Sequence, residues 1–263
     1  MSGSRKIPSR EYLLAGVVAA AIAAMSFVRP IPQDPGYHTF VDTREFLAIP
    51  NFWNVMSNPP SVAAGVAGLL FLRQQNRRGL SPSLRPVYGI FFGGVLLTGF
   101  GSAWYHLAPD NRTLVWDRLP MTLAFMSLFT IIIGEHVSAQ RARQLLLPLL
   151  ITGTASVLYW AVSEAGGNGD LRPYALVQFL PMILIPLILR MYRSPFDRTA
   201  FIWLVVIIYA ASKLSEYYDE RVFALGGIIS GHSLKHVVAA LAPLVLLYGF
   251  SRRCPDAGSR QTA

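Results

Sequence analysis

The chain has 263 residues, of which 53% are hydrophobic and only 14% are charged. A soluble domain carries about 25% charged residues, and apolar runs of membrane-spanning length recur throughout this sequence, which excludes a soluble globular fold. The formal net charge is +9. The Lys and Arg lie mostly in short loops, where they orient a membrane protein, so the charge does not indicate nucleic-acid binding.

The first apolar run, residues 12–28, follows a polar and basic start and ends at Arg29-Pro30. A basic segment followed by an apolar one is also typical of a signal peptide. The run is long for that role, which favours a retained first helix. The next stretch, residues 30–52, is a loop rich in Pro and Asp.

Seven further apolar segments follow this loop, and their length and composition predict membrane helices. They lie at about residues 53–72, 87–106, 118–135, 144–162, 173–191, 199–217 and 233–250. The final stretch, residues 251–263, is polar and basic and is predicted to be a disordered tail. It contains Cys254, the only cysteine, so an internal disulfide and a thiolate metal cluster are excluded.

The predicted fold is therefore all-α: a polytopic membrane helix bundle with a seven-helix core and one N-terminal helix. The N-terminal helix and outer loop occupy residues 1–52, the core 53–250 and the tail 251–263. Basic residues concentrate at both chain ends and in alternate loops, whereas the other loops are acidic or mixed. By the positive-inside rule, both termini are expected in the cytoplasm and the acidic loops outside.

Side chains that can handle metals or protons lie at the ends of three predicted helices. Ser102 and His106 end one helix, Asp117 opens the next, and His232 and His236 open the last. Residues four apart share one helix face, and two such histidines can direct both imidazoles at one metal. The loop charges place all three helix ends on the outer side.

Three histidines are the usual protein ligands of a catalytic zinc, with one coordination position left open. In that arrangement Asp117 would accept a proton from the attacking water or orient it. Ser102 would orient the water or donate to a developing oxyanion. A histidine pair at a helix end can also consist simply of polar residues at the membrane interface. The additional His106, Asp117 and Ser102 favour a metal site instead.

The other polar residues in or near the apolar segments carry weaker signals. His136 is expected at the cytoplasmic end of its helix, and we interpret it as a surface histidine. His38 is on the expected outer side but lies in a loop. Lys213 and Glu216 are near the outer end of their helix, either as an ion pair or as groups that support the site.

These motifs resemble those of the alkaline ceramidase family, in a superfamily that also includes the adiponectin-receptor-like proteins. The matching elements are Ser102-x-x-x-His106, Asp117-Arg118-Leu119-Pro120-Met121 and His232-x-x-x-His236. The stretch Asn51-Phe52-Trp53-Asn54-Val55-Met56-Ser57-Asn58 is similar to the segment that opens the family's first core helix. The resemblance covers about residues 42–250.

The resemblance implies a zinc-dependent amide hydrolase that cleaves ceramide, or a similar N-acyl lipid, to a free fatty acid and an amine lipid. It implies that His106, His232 and His236 hold zinc. It also implies that Asp117 activates or orients water and that Ser102 completes the site. The lipid substrate would enter a pocket among the helices from the membrane.

The resemblance also raises a second cofactor, because the eukaryotic enzymes bind calcium with an acidic segment before the first core helix. Asp42 and Glu45 are present here. However, the segment is shorter, and Asn51 stands where the family has a glutamate. Calcium takes several oxygen ligands. These residues alone therefore do not decide whether a calcium site is present.

Three other functions remain open at this stage. An adiponectin-receptor-like membrane sensor with a structural zinc could share the same residues, although the short tail and loops offer little surface to a signalling partner. A metal-free serine hydrolase could use Ser102 as its nucleophile, but the histidine pair would then be unused. The third is a transporter or scaffold role.

Overall fold

The structure, a computed structural model, describes residues 9–74 and 79–256. Its helices are α1 (Ser9–Phe27), α2 (Phe52–Met56), α3 (Pro59–Arg73), α4 (Arg85–Leu107), α5 (Asn111–His136), α6 (Ala139–Ala165), α7 (Arg172–Met191), α8 (Ala200–Tyr217), α9 (Asp219–Gly226) and α10 (Gly231–Arg252). Within the described residues, eight segments are long and apolar enough to cross a membrane, one of them near the N-terminus. The all-α membrane bundle is thereby confirmed.

The first core segment is broken where the hydropathy predicts one continuous helix. α2 ends at Met56, and α3 begins at Pro59. Pro59 and Pro60 lack the backbone N–H that would continue the ladder of α2, but proline is well accommodated in the first turn of a new helix. The break places Ser57 and Asn58 inside the bundle, where both side chains are buried.

α5 begins at Asn111, well before the apolar run that predicts it. The cause is a capping box: the Asp110 carboxylate accepts the Thr113 backbone N–H at 2.7 Å, and the Thr113 hydroxyl accepts the Asp110 N–H at 3.1 Å. These bonds satisfy donors at the helix start that would otherwise be unpaired. The backbone bond from Thr113 lowers the pKa of Asp110. Asp117 consequently lies within the helix rather than at its first residue.

α1 lies at the edge of the bundle, where most of its surface is exposed. The Arg10 guanidinium donates to the Met191 carbonyl at the end of α7, at 2.6 Å, and Glu11 pairs with Arg141 of α6 at 2.5 Å. α1 thus packs on the outside of a core formed by the later helices.

Hydrogen bonds connect the loop after α1 to the start of α7. The loop therefore lies across one end of the bundle. Arg172 donates to the Val28 carbonyl at 2.6 Å. Asp170 holds the same guanidinium through Nε at 2.8 Å, and these hydrogen bonds lower the pKa of Asp170 to about 2.

A buried ion pair closes the opposite end of the bundle. Arg253 Nη1 donates to Glu135 Oε2 at 2.7 Å, and the Tyr88 hydroxyl donates to Glu135 Oε1 at 2.5 Å. Arg253 Nε also donates to the Gly79 carbonyl at 2.7 Å. Residues 251–256 therefore pack on the bundle, whereas the remainder of the predicted tail, 257–263, and the basic start, 1–8, lie outside the described residues.

The interpretation of His136 as a surface histidine is wrong. Its side chain is buried, and Nδ1 lies 3.2 Å from the Ile132 carbonyl. The reason is that α6 begins only three residues after α5 ends and packs against it. His136 thus lies at the end of the bundle occupied by Glu135 and Arg253, away from the other histidines of the helical core.

Candidate metal centre and adjoining cavity

Three histidines from two helices meet at one end of the bundle. His106 lies in the last turn of α4, and His232 and His236 lie in the first two turns of α10. One ring nitrogen from each lies within 4.8 Å of the other two. His106 and His232 are buried, and His236 is half-buried. The predicted convergence of these three side chains is confirmed.

The three imidazoles fit a tetrahedral metal ion such as zinc. Two nitrogens that each bind zinc at about 2.05 Å lie roughly 3.3 Å apart. The observed separation of His106 Nε2 and His236 Nε2 is 3.4 Å. His232 Nε2 and His106 Nδ1 are buried without a hydrogen-bond partner among the described residues, and a metal ion between the rings would supply a partner for His232. An unsatisfied buried polar atom is otherwise costly.

The first turns of α10 are held in place by hydrogen bonds from neighbouring elements. Ser230 caps the helix by accepting the Ser233 N–H at 3.1 Å. Asp219 of α9 accepts the His232 N–H at 2.7 Å, and the Ser233 hydroxyl donates to Asn54 of α2 at 2.7 Å. These bonds set the position of the histidine pair relative to the break between α2 and α3.

Ser57 orients His236, a role that the sequence did not reveal. Its hydroxyl lies 2.8 Å from His236 Nδ1, so Nε2 is left to face the other histidines. A hydrogen bond to the second ring nitrogen is the usual way in which a ligating histidine is oriented. The only sequence signal was the position of Ser57 inside the motif that opens the core.

Phe40 covers the histidine cluster from the loop after α1. Its ring is buried, with its centroid 4.8 Å from those of both His106 and His232. An apolar ring in this position separates the cluster from water and lowers the local dielectric constant, which strengthens electrostatic interactions there.

Ser102 and Asp117 lie beside the cluster, on the facing surfaces of α4 and α5. Both side chains are buried. The two helices meet closely because Gly101 has no side chain: a Cβ there would lie 2.0 Å from the Trp116 carbonyl oxygen. Ser102, Asp117 and His236 line the same cavity.

This cavity has a volume of about 410 Å³ and runs among the helices. A volume of several hundred Å³ is typical of small-molecule sites. Its walls are largely apolar and include Phe91, Val95, Leu128, Val205 and Leu246. The cavity therefore offers a long apolar surface with ionisable groups at one end.

The charged groups at that end include an ion-pair network. Lys213 and Glu216 form an ion pair at 2.8 Å, one of the two arrangements expected for them, and Lys235 contacts the other oxygen of Glu216. Lys235 and Arg118 also line the cavity. In the sequence, Arg118 stood out only as part of a motif, and Lys235 carried no separate signal.

His38 lies outside the cluster and has a different role. Its Nδ1 lies 3.0 Å from the Tyr105 hydroxyl, and its Nε2 lies 2.9 Å from Asn111 Oδ1. Both ring nitrogens are thus used to attach the loop after α1 to α4 and α5.

The residues considered for calcium do not fit a calcium site. Both oxygens of Asp42 accept hydrogen bonds from Arg44, through Nε at 2.8 Å and Nη2 at 2.7 Å. Asn51 instead donates to the His106 carbonyl at 2.9 Å, and Glu45 is exposed. Calcium takes six to eight oxygen ligands, whereas here a guanidinium already occupies the buried carboxylate.

Residues 46–209 match a protein-family model described as Ceramidase. The matched region contains Ser102, His106 and Asp117 and ends before α10, which carries the histidine pair. A comparison with curated proteins found no match. Because the family match spans more than half of the chain and includes these three residues, the chain belongs to the Ceramidase family.

Proposed function

We propose that this chain is a zinc-dependent intramembrane amide hydrolase that cleaves ceramide or a similar N-acyl lipid to a free fatty acid and an amine lipid. One observation carries the proposal: three converging histidines lie beside Asp117 and Ser102 at the polar end of an apolar cavity. Family membership supports hydrolase activity. The membrane-spanning helices and the apolar walls favour a lipid substrate.

His106, His232 and His236 would hold the zinc ion. When bound, zinc polarises an amide carbonyl and makes water a stronger acid. Asp117 accepts the proton of the attacking water and returns it to the leaving nitrogen. Ser102 orients the Asp117 carboxylate or donates to the oxygen on which negative charge develops. The apolar cavity walls hold the acyl chain beside these groups.

We place both termini in the cytoplasm and the site toward the outer side of the membrane. The basic loops support this orientation, and Arg253 lies at the end of the bundle opposite the histidines. The lipid would then reach the cavity from the outer half of the bilayer.

The decisive experiment combines metal analysis with lipid hydrolysis in the purified protein. We expect about one zinc per chain and release of fatty acid from N-acyl lipids. His232→Ala should lose the metal and reduce release by at least about 10³-fold, a loss typical of removing a group on which the chemistry depends. The matched control is His136→Ala, which removes a buried histidine from the other end of the bundle and should retain both properties.

The same experiment separates the competing functions. A chelator should abolish hydrolysis, and added zinc should restore it. Activity that survives complete metal removal would favour a serine hydrolase that uses Ser102. Full activity of His232→Ala would contradict the proposed function.

A further inference from the structure

Arg118 is a buried cation whose hydrogen-bonding capacity is only partly used. Its side chain is 6% exposed and lines the cavity. Nη2 donates to Gln33 Oε1 at 2.7 Å, but Nη1 has no partner among the described residues. The guanidinium is stacked on aromatic rings and lies 4.2 Å from the Trp160 centroid and 4.9 Å from that of Tyr174. Aromatic contacts hold this cation in place without supplying an anion.

Lys213 and Lys235 also have donors to spare. An ammonium group has three N–H donors, and each lysine makes one hydrogen bond to a side chain in the described part of the chain, in both cases to Glu216. Tyr37 lies beside one of these cations, with its ring 5.6 Å from the Arg118 guanidinium.

The polar end of the cavity therefore carries an excess of positive charge. Its charged lining consists of three cations, Arg118, Lys213 and Lys235, and two carboxylates, Asp117 and Glu216. Glu216 is shared by the two lysines, and Arg118 forms no ion pair within the described ranges. Burying a cation that has no ion-pair partner is unfavourable, and an anionic ligand would reduce that cost.

We propose that this end of the cavity binds an acidic group on the amine half of the substrate and that Arg118 is the residue that selects it. The inference rests on the proposed amide hydrolase function. Of the substrates in that proposal it favours N-acyl lipids with an anionic head group over ceramide, whose head group is neutral, and N-acyl amino acids are the simplest of them. The planar guanidinium matches the geometry of a carboxylate. Asp117 and Arg118 line the same cavity, so one substrate would present its scissile amide to the first and its acidic group to the second.

Arg118 offers a cleaner test than either lysine. Removing a lysine would leave Glu216 with one cation fewer, and the loss of an ion-pair partner in a buried site is itself destabilising. Arg118→Gln leaves no carboxylate unpaired. Arg118→Lys keeps the charge but loses the planar group.

The experiment compares N-palmitoylglycine with N-palmitoylethanolamine, which have the same acyl chain and differ in the charge of the head group. For the wild type we expect kcat/KM to be at least about 10-fold higher for the acid, equivalent to roughly 1.4 kcal/mol. Arg118→Gln should reduce this acid-to-neutral ratio by about 10-fold, mainly through KM for the acid, and Arg118→Lys should restore part of it. The matched control is Arg112→Gln, which removes an exposed cation from the same helix and should leave the ratio at the wild-type value.

Two results would overturn the proposal. One is a wild-type ratio of one or less. The other is an Arg118→Gln variant that loses activity equally on both substrates, since that pattern indicates a purely structural role.

A binding measurement keeps this inference separate from the hydrolase function. The probes are the two ketones in which a CH2 group replaces the amide NH of each substrate, and the readout is protection of the purified protein against thermal unfolding. Stronger protection by the acidic ketone, reduced in Arg118→Gln, would support the acidic site even if neither amide is hydrolysed. Equal protection by both ketones would contradict it. Palmitate is the third probe: if it protects as well as the acidic ketone, the site binds the carboxylate of the fatty-acid product, and the proposal fails.

Discussion

Asp117 is buried at the polar end of the cavity, where the proposed reaction requires a group that accepts a proton. Asp117 is 9% exposed and lines the same cavity as Ser102 and His236. In the proposed reaction it is the only group assigned to take a proton from water. Its neighbour Arg118 is proposed to bind the acidic group on the amine half of the substrate. Two consecutive residues of α5 are thus proposed to have separate roles: Asp117 in proton transfer and Arg118 in the selection of the substrate.

Asp117→Asn tests the assignment of the base. Asparagine retains the size of the side chain and can still contact Ser102, but it does not accept a proton at neutral pH. We expect metal content and melting temperature near the wild-type values and a fall in kcat of about 10²–10⁴-fold, the usual contribution of a general base. Asp110→Asn, which preserves a helix cap on the same helix, is the control. A wild-type kcat in Asp117→Asn would show that another group takes the proton.

Ser57→Ala tests whether the hydrogen bond to His236 supports the metal. Without the contact at 2.8 Å, the imidazole is free to rotate, and loss of such a bond lowers metal affinity by about 10–100-fold. Competition with a chelator of known affinity measures the change, and Ser57→Thr, which keeps the hydroxyl, should bind more tightly than Ser57→Ala. Unchanged zinc affinity in Ser57→Ala would assign Ser57 to the packing of the α2–α3 break alone.

At the level of elements, the site depends on one helix break and one helix–helix contact that hydropathy does not reveal. The break between α2 and α3 brings Ser57 and Asn54 toward α10, and the contact at Gly101 brings α4 against α5. Both occur inside segments that are apolar along nearly their whole length. In such segments hydropathy does not distinguish the side that faces lipid from the side that packs on another helix. Small residues and prolines instead decide which helices pack together.

Gly101→Ala tests the α4–α5 contact. The added Cβ would lie 2.0 Å from the Trp116 carbonyl oxygen, so the helices must separate, at a cost of about 1–3 kcal/mol. We expect a lower melting temperature together with reduced fatty-acid release, because Ser102 and Asp117 move apart. Gly93→Ala is a matched control on the same helix, since a Cβ there meets nothing within 4 Å, and it should be neutral or slightly stabilising. Equal stability of the two variants would show that α4 and α5 are not in tight contact.

For the molecule as a whole, the two ends of the bundle differ in chemistry. One end holds the histidines, the excess of cations and the polar end of the cavity, whereas the other is closed by Glu135 and Arg253, both fully buried. α1 packs on the outside of the core and lies outside the Ceramidase match. The orientation proposed from the loop charges therefore decides which side of the membrane carries the reaction.

Cysteine labelling tests this orientation, because Cys254 is exposed and is the only cysteine. In sealed vesicles with the outer membrane surface exposed, a membrane-impermeant maleimide should label Cys254 only after the membrane is permeabilised. In a Cys254→Ser background, Leu225→Cys should be labelled at once, since Leu225 is 89% exposed on α9, at the end that carries the histidines. The reverse pattern would place the site on the cytoplasmic side.

Local patterns were enough to predict much of this protein. Apolar runs reveal the helices, because a membrane-spanning helix is defined by length and hydropathy. Loop charges placed His106, Asp117 and the α10 histidines at the same end, which the structure confirms, because alternate helices of a polytopic bundle run in opposite directions. Identifying the side chains that share a cavity required the tertiary structure. Arg118, Lys235 and Ser57 gave no distinctive local signal, since what they face depends on how neighbouring helices pack.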